Sequence, residues 1–136
     1  MNTIFENSEN RELDAKISRL LINLGITARL KGYAYLITGI KMAIMEPERV
    51  SSITKELYPE IAQKHKTSPD KVERGIRHAV QSSIIQGRAG ELNKLLECQA
   101  YKEGERITNS QFIALSADGL RYKLRSPPFL DCLPFL

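Results

Sequence analysis

A chain of 136 residues, 42% hydrophobic and 26% charged, has the length of one ordinary domain of about 100 to 150 residues. Eight Gly and six Pro exclude collagen-like and low-complexity chains, and no apolar run approaches the roughly 20 residues that span a bilayer. The first ten residues lack the basic and apolar regions of a secretory signal, so a cytoplasmic location is expected, and Cys98 and Cys132 have neither CxxC spacing nor a nearby His to support a zinc site or a disulfide scaffold.

Residues 1–10 are polar and acidic and are expected to form a flexible leader. Asn10 is placed to cap a first helix whose apolar positions Leu13, Ile17, Leu20, Leu21 and Leu24 recur at three and four, and Gly25 is placed to end it. A short basic link, Ile26 to Lys31, leads to a second periodic segment from Gly32 to Met45 with Tyr33, Leu36, Ile37, Ile40 and Ile44. Pro47 stops it. A third helix is expected from Ser52 or Thr54 through Ile53, Leu57, Tyr58, Ile61 and Ala62, with Pro59 tolerated only in its first turns or at a bend.

Ser68-Pro69-Asp70 is a strong start signal: Ser caps, Pro fits the first helical position, and Asp complements the positive end of the helix dipole. The fourth helix runs from there to about Gln86, with Gly87 at its stop. Gly90 opens a shorter helix ending near Cys98, and residues 99–107 read as a polar loop. Thr108-Asn109-Ser110 offers caps for a last helix with Phe112, Ile113, Leu115, Leu120 and Leu124, in which Gly119 costs about 1 kcal/mol relative to Ala. No segment alternates as strands do, so the fold class is all-α, with about six helices. The tail, residues 126–136, is apolar and broken by three prolines. It either straps over the body or docks into a partner.

The net charge of +4 is concentrated between residues 64 and 88, where Lys64, Lys66, Lys71, Arg74, Arg77 and Arg88 face only Asp70 and Glu73. Such clustering fits either a polyanion-binding face or a solvated helix face. The third and fourth helices have the spacing of a helix-turn-helix, with small Ala62 at their approach. On the fourth, Val72, Ile76, Ala79, Val80 and Ile84 form the inward stripe; Lys71, Arg74 and His78 form an outward one, beside an i, i+4 pair of Glu73 and Arg77. In a major groove, Arg74 suits a guanine edge and Glu73 a cytosine amine. Lys71, Arg77 and His78 suit bases or phosphates, and the expected helix starts at Ser52 to Lys55 and at Ser68 suit phosphates. The tyrosines Tyr33, Tyr35 and Tyr58 alternate with aliphatics and read as core packing rather than base-stacking platforms. There is no Gly-rich phosphate loop, HExxH or GxSxG, so neither an enzyme nor a cofactor or metal site is expected.

The runs Lys31-Gly32-Tyr33-Ala34-Tyr35-Leu36, Ser52-Ile53-Thr54-Lys55-Glu56-Leu57-Tyr58-Pro59-Glu60-Ile61-Ala62, Val72-Glu73-Arg74-Gly75-Ile76-Arg77-His78-Ala79 and Thr108-Asn109-Ser110-Gln111-Phe112-Ile113-Ala114 together resemble the C-terminal effector domain of sporulation initiation factor A, the master sporulation regulator of endospore-forming Firmicutes. The resemblance covers about residues 11–125. It implies a six-helix DNA-binding domain that recognises a short asymmetric box, pairs in tandem on adjacent boxes and regulates transcription through RNA polymerase. By position it implies Glu73 and Arg74 as base readers and Arg77 and His78 as base or phosphate contacts; Lys71 stands at a base-reading position, with readout there either relaxed or replaced by a phosphate contact, while Thr54, Lys55 and Ser68 are expected phosphate contacts from their place at helix starts.

Two positions depart from the family pattern. Lys71 stands where the family generally has Arg, and loses the bidentate fork. Gly75 replaces the usual Ala, and is expected to loosen the recognition helix by up to about 1 kcal/mol. Family members also carry an N-terminal receiver domain with a phosphorylated Asp that controls dimerisation, for which 136 residues leave no room. If the chain is complete, phosphorylation is not its switch; if it is one domain of a longer protein, the leader is a linker. The alternative function is an interaction protein that antagonises a full-length homologue by mixed pairing or by occupying its boxes.

Overall fold

The structure, a computed structural model, describes residues 3–125. Among them are six α-helices and no strand: α1 (Thr3–Asn23), α2 (Lys31–Met45), α3 (Tyr58–Lys64), α4 (Pro69–Ile85), α5 (Glu91–Leu96) and α6 (Asn109–Arg125). The apolar tail over 126–136 lies outside the described residues, and with it both readings of its role.

α1 begins at Thr3 rather than at Asn10, so the segment expected to be a leader contributes helix. Nothing between Thr3 and Asn10 is a Gly or Pro, and extending an existing helix costs far less than nucleating one. The helix stops as its sequence predicts. The Gly25 N–H donates to the Ile22 carbonyl (2.9 Å) and the Ile26 N–H to that of Leu21 (2.8 Å), the paired bonds of a left-handed helix stop. Ile17, Leu21 and Leu24 are fully buried.

α2 is the central element, packed against α1, α4 and α6. Leu36, Ile40 and Ala43 have no exposed surface. At its far end Arg121 of α6 donates through Nη2 to the Ala43 carbonyl (2.7 Å) and through Nε to that of Ile44 (3.3 Å), while Nη1 holds Asp118 (2.7 Å). Carbonyls at a helix end have no partner within the helix, and a guanidinium satisfies two of them at once.

The expected third helix from Ser52 or Thr54 is not one helix. Residues Pro47–Ser52 form a tight 3-10 turn, Ile53–Leu57 a wide π turn, and only Tyr58–Lys64 is α-helical. Pro59 is the cause. It has no N–H for the carbonyl of Lys55 and its ring crowds that carbonyl, so the chain widens before it, with the Tyr58 N–H reaching back to the Ile53 carbonyl. Ser52 consequently makes no side-chain cap. Arg49 fixes the irregular stretch to α3 by a bidentate bond to Glu60, Nη2 to Oε1 at 2.7 Å and Nη1 to Oε2 at 3.3 Å. This guanidinium holds the Glu60 carboxyl below the usual carboxylate range, and Glu60 in turn raises Arg49.

α4 ends where expected. Gly87 takes φ +72, its N–H bonds the Ile84 carbonyl, and the Arg88 N–H bonds that of Ser83. α6 opens with a reciprocal box: Gln111 N–H to Thr108 Oγ1 (3.2 Å) and Thr108 N–H to Gln111 Oε1 (3.0 Å). Gly119 is buried, and a Cβ there would lie 2.5 Å from Leu95 Cδ2 and Cγ. The residue expected to weaken α6 is therefore what allows α5 to close on it.

Candidate nucleic-acid interface

Between α3 and α4 the chain reverses in four residues, 65–68. The Thr67 N–H donates to the Ala62 carbonyl at 2.9 Å and Lys66 adopts φ +54, a left-handed position where Gly is the usual occupant. Ala62 is buried where the two helices meet, as its size predicts. His65 ties the turn to α2: its Nε2 shares a 2.7 Å hydrogen bond with the Thr38 hydroxyl, and its ring meets Tyr35 edge-on with centroids 5.3 Å apart. Of the two histidines in the basic segment, this one is structural. Ser68 then caps α4, Oγ accepting the Lys71 N–H at 3.3 Å, with Pro69 in the first turn.

The inward face of α4 buries Val72, Ile76, Ala79 and Val80, with Ile84 at its margin. Burying a Val or Ile side chain stabilises by roughly 1.5–3 kcal/mol, so the helix cannot rotate without losing several such contributions. Its opposite face is therefore fixed outward. Lys71, Arg74 and His78 are exposed on it, and none of their side chains has a hydrogen-bond or ion-pair partner among the described residues.

The basic segment divides once it is folded. Lys64 pairs with Glu60 (3.7 Å), Arg77 with Glu73, and Arg88 donates to the Asn23 carbonyl (3.4 Å), whereas the side chains of Lys66, Lys71 and Arg74 remain unpartnered among the described residues. Glu73 is half-buried and lies toward α6, not at the middle of the outward face. Its carbonyl accepts from Asn109 Nδ2 (3.2 Å), which also donates to Tyr58 Oη (3.0 Å). Burial pushes the Tyr58 phenol above its ordinary value, the Asn109 bond opposes that shift, and the Glu73 charge adds to it. Tyr58 is thus a core group, as expected. Tyr33 and Tyr35 are half-buried, Tyr33 bonded to the Ser18 hydroxyl at 2.5 Å.

Two strips of chain border the outward face. On one side the segment 25–32 runs along α4. Gln86 Nε2 donates to the Gly25 carbonyl (3.0 Å), and a Cβ on Gly32 would lie 2.3 Å from the Gly75 carbonyl oxygen and 2.9 Å from Ala79 Cβ. A Cβ on Gly75 would in turn meet the Tyr35 ring at 3.1 Å. Gly75 is thus part of a tight crossing of α2 and α4, not only a loosening of the helix. On the other side the π turn and the loop before α6 form a groove with α4, lined by Ile53, Arg77, Ile85 and Arg106 among others. Thr54 and Lys55 are exposed beside Ile53.

The sequence pattern did not bring out Arg29, Lys31 or Arg106 as neighbours of this face. They lie outside the 64–88 window, and only the basic character of the 26–31 link hinted at two of them.

No helix among the described residues is long and apolar enough to cross a membrane. The family model described as "Sporulation initiation factor Spo0A C terminal" matches residues 17–120, which span α2 to α5, most of α6 and the last turns of α1. With a helix-turn-helix at its centre and that match over most of its length, the chain belongs to the family of Spo0A C-terminal domains, DNA-binding effector domains of sporulation transcription factors.

Proposed function

We propose that this chain is a sequence-specific transcriptional regulator that inserts α4 into the DNA major groove. The observation that carries the proposal is the set Lys71, Arg74 and His78: three side chains capable of carrying positive charge, without partners among the described residues, on the one face of α4 that core packing holds outward. An α-helix with its side chains is about 10–12 Å across and the major groove about 12 Å wide, so α4 fills the groove and its exposed face meets base edges.

In this reading Arg74 forks onto a guanine O6 and N7, and Lys71, with a single ammonium, reads less strictly beside it. Glu73 accepts from a cytosine amine once Arg77 leaves its ion pair for a phosphate, and His78 contacts base or backbone. Thr54, Lys55 and Ser68 contact phosphates and set the docking angle. The partners are double-stranded DNA carrying short asymmetric boxes, a second copy paired in tandem on the adjacent box, and RNA polymerase. The protein acts in the cytoplasm, where those partners are, and as a binding protein rather than an enzyme.

The test is selection of duplexes from a random pool, followed by anisotropy titration of the selected duplex against a scrambled one at two salt concentrations. Arg74→Ala is expected to weaken the selected duplex by about 1–3 kcal/mol more than the scrambled one, and Lys55→Ala to weaken both equally while reducing the salt slope by about 1. Equal losses from Arg74→Ala on both duplexes would remove its base-reading role. Binding without selectivity by the wild-type chain would favour the antagonist reading.

A further inference from the structure

We infer that Arg29 and Lys31 form a second phosphate-binding strip, on the side of α4 away from Thr54 and Lys55, so that the domain grips both DNA strands bordering the groove. The inference rests on the α4-in-groove reading and adds a ligand site to it.

The placement follows from contacts already described. The segment 25–32 is fastened to α4 at two points, by Gln86 at the C-terminal end and by the Gly32–Gly75 approach at the middle. Arg29 and Lys31 lie between these points, exposed, with no partner among the described residues. Around the axis of α4, at 100° per residue, Gly75 and Ala79 follow directly on the Lys71 and His78 side. Glu73 and Arg77 fall on the other side, where Asn109 and the groove of Ile53 and Arg106 are found. The outward face is therefore bordered by cations on both flanks: Arg29 and Lys31 on one, Lys55 and Arg106 on the other.

A helix that fills a groove about 12 Å wide brings whatever lies beside it against the two phosphate strands. The ligand of the new strip is the phosphodiester backbone. It carries no sequence information itself, but it opposes rocking of α4 about the contact made by Thr54 and Lys55. Thr27, Ala28 and Leu30 are uncharged, and no acidic side chain forms an ion pair with Arg29 or Lys31 among the described residues.

The experiment compares the wild-type chain with Arg29→Gln/Lys31→Gln, which keeps much of each stem, on the selected and scrambled duplexes between 50 and 200 mM salt. Each neutralised phosphate contributes about 0.9 to the slope of log affinity against log salt. Two lost contacts lower it by about 1.8, so wild-type affinity should fall about 12-fold more than the variant's over that fourfold salt range. Selectivity between the two duplexes should be unchanged. Arg19→Gln/Lys94→Gln, which removes the same charge from a cleft between α1 and α5, should leave the slope near that of the wild type.

A second measurement uses the wild-type chain alone. Uncharged methylphosphonates are placed singly along each strand of the selected duplex, and affinity should drop at positions on both strands bordering the groove. An unchanged slope in Arg29→Gln/Lys31→Gln, a slope change matched by the control pair, a loss of selectivity, or sensitivity confined to one strand would each overturn the inference. If the wild-type chain selects no duplex at all, it is the α4 reading itself that fails.

Discussion

Replacing Gly32 by Ala adds one methyl group at the place where α2 and α4 come closest. The new Cβ would lie 2.3 Å from the Gly75 carbonyl oxygen and 2.9 Å from Ala79 Cβ, against 3.4–4 Å for an ordinary contact. The first obstacle is backbone, which no rotamer change relieves, so the helices must separate by about 1 Å. Overpacking of this kind costs about 1–3 kcal/mol. Replacing Gly in a helix returns up to about 1 kcal/mol, less here because residue 32 lies in the first turn. The net expectation is a loss of about 1–2 kcal/mol, or roughly 3–10 °C in melting temperature for a domain of this size. The matched control is Gly90→Ala, where a Cβ meets nothing within 4 Å and φ is −63, so the same chemical change should be neutral or slightly stabilising. Thermal melts by circular dichroism on the three proteins decide the matter. A Gly32→Ala protein as stable as the wild type would show that the α2–α4 approach is not tight and that Gly75 is no part of it.

Three further outcomes follow from the same geometry. Lys66→Gly removes a left-handed non-glycine residue from the helix-turn-helix turn and should stabilise by about 1 kcal/mol, visible as a higher urea midpoint with unchanged slope. The Glu60 carboxyl titrates below its ordinary value because Arg49 favours its charged form; folding therefore gains from it at neutral pH and loses that gain as pH falls below about 4. Urea unfolding at stepped pH should show this acid loss in the wild type and less of it in Glu60→Gln, which should itself cost no more than about 1 kcal/mol at pH 7 because the carboxylate is partly exposed. Gly119→Ala should destabilise by about 1–3 kcal/mol, against the gain that helix propensity alone predicts.

The parts of the fold that were legible in the sequence are those governed by neighbours a few residues away. Ser68-Pro69-Asp70 opens α4 and Gly87 closes it, and the spacing of Val72, Ile76, Ala79 and Val80 fixes which face turns inward. What could not be seen depended on partners distant in the chain. The obstacle at Pro59 is legible, but the bidentate bond by which Arg49 fastens the irregular stretch to Glu60 is not. Gly75 and Gly119 looked like weak points because propensity scales carry no information about Tyr35 or Leu95. The face itself was foreseen in Lys71, Arg74 and His78. Of its flanking cations only Lys55 was; Arg29, Lys31 and Arg106 were not, because counting charge in a window cannot detect cations contributed from another part of the chain.

The grip of Arg121 on the last carbonyls of α2 bears on where this domain can be cut. The family match ends at residue 120, one position before the side chain that closes α2. A fragment trimmed to that border would leave the Ala43 and Ile44 carbonyls without the guanidinium that now satisfies them, at the end of the helix to which His65 ties the helix-turn-helix turn. Anyone transplanting the domain onto another protein should therefore carry the graft past Arg121, since the physical unit is longer than the stretch over which its sequence is recognisable.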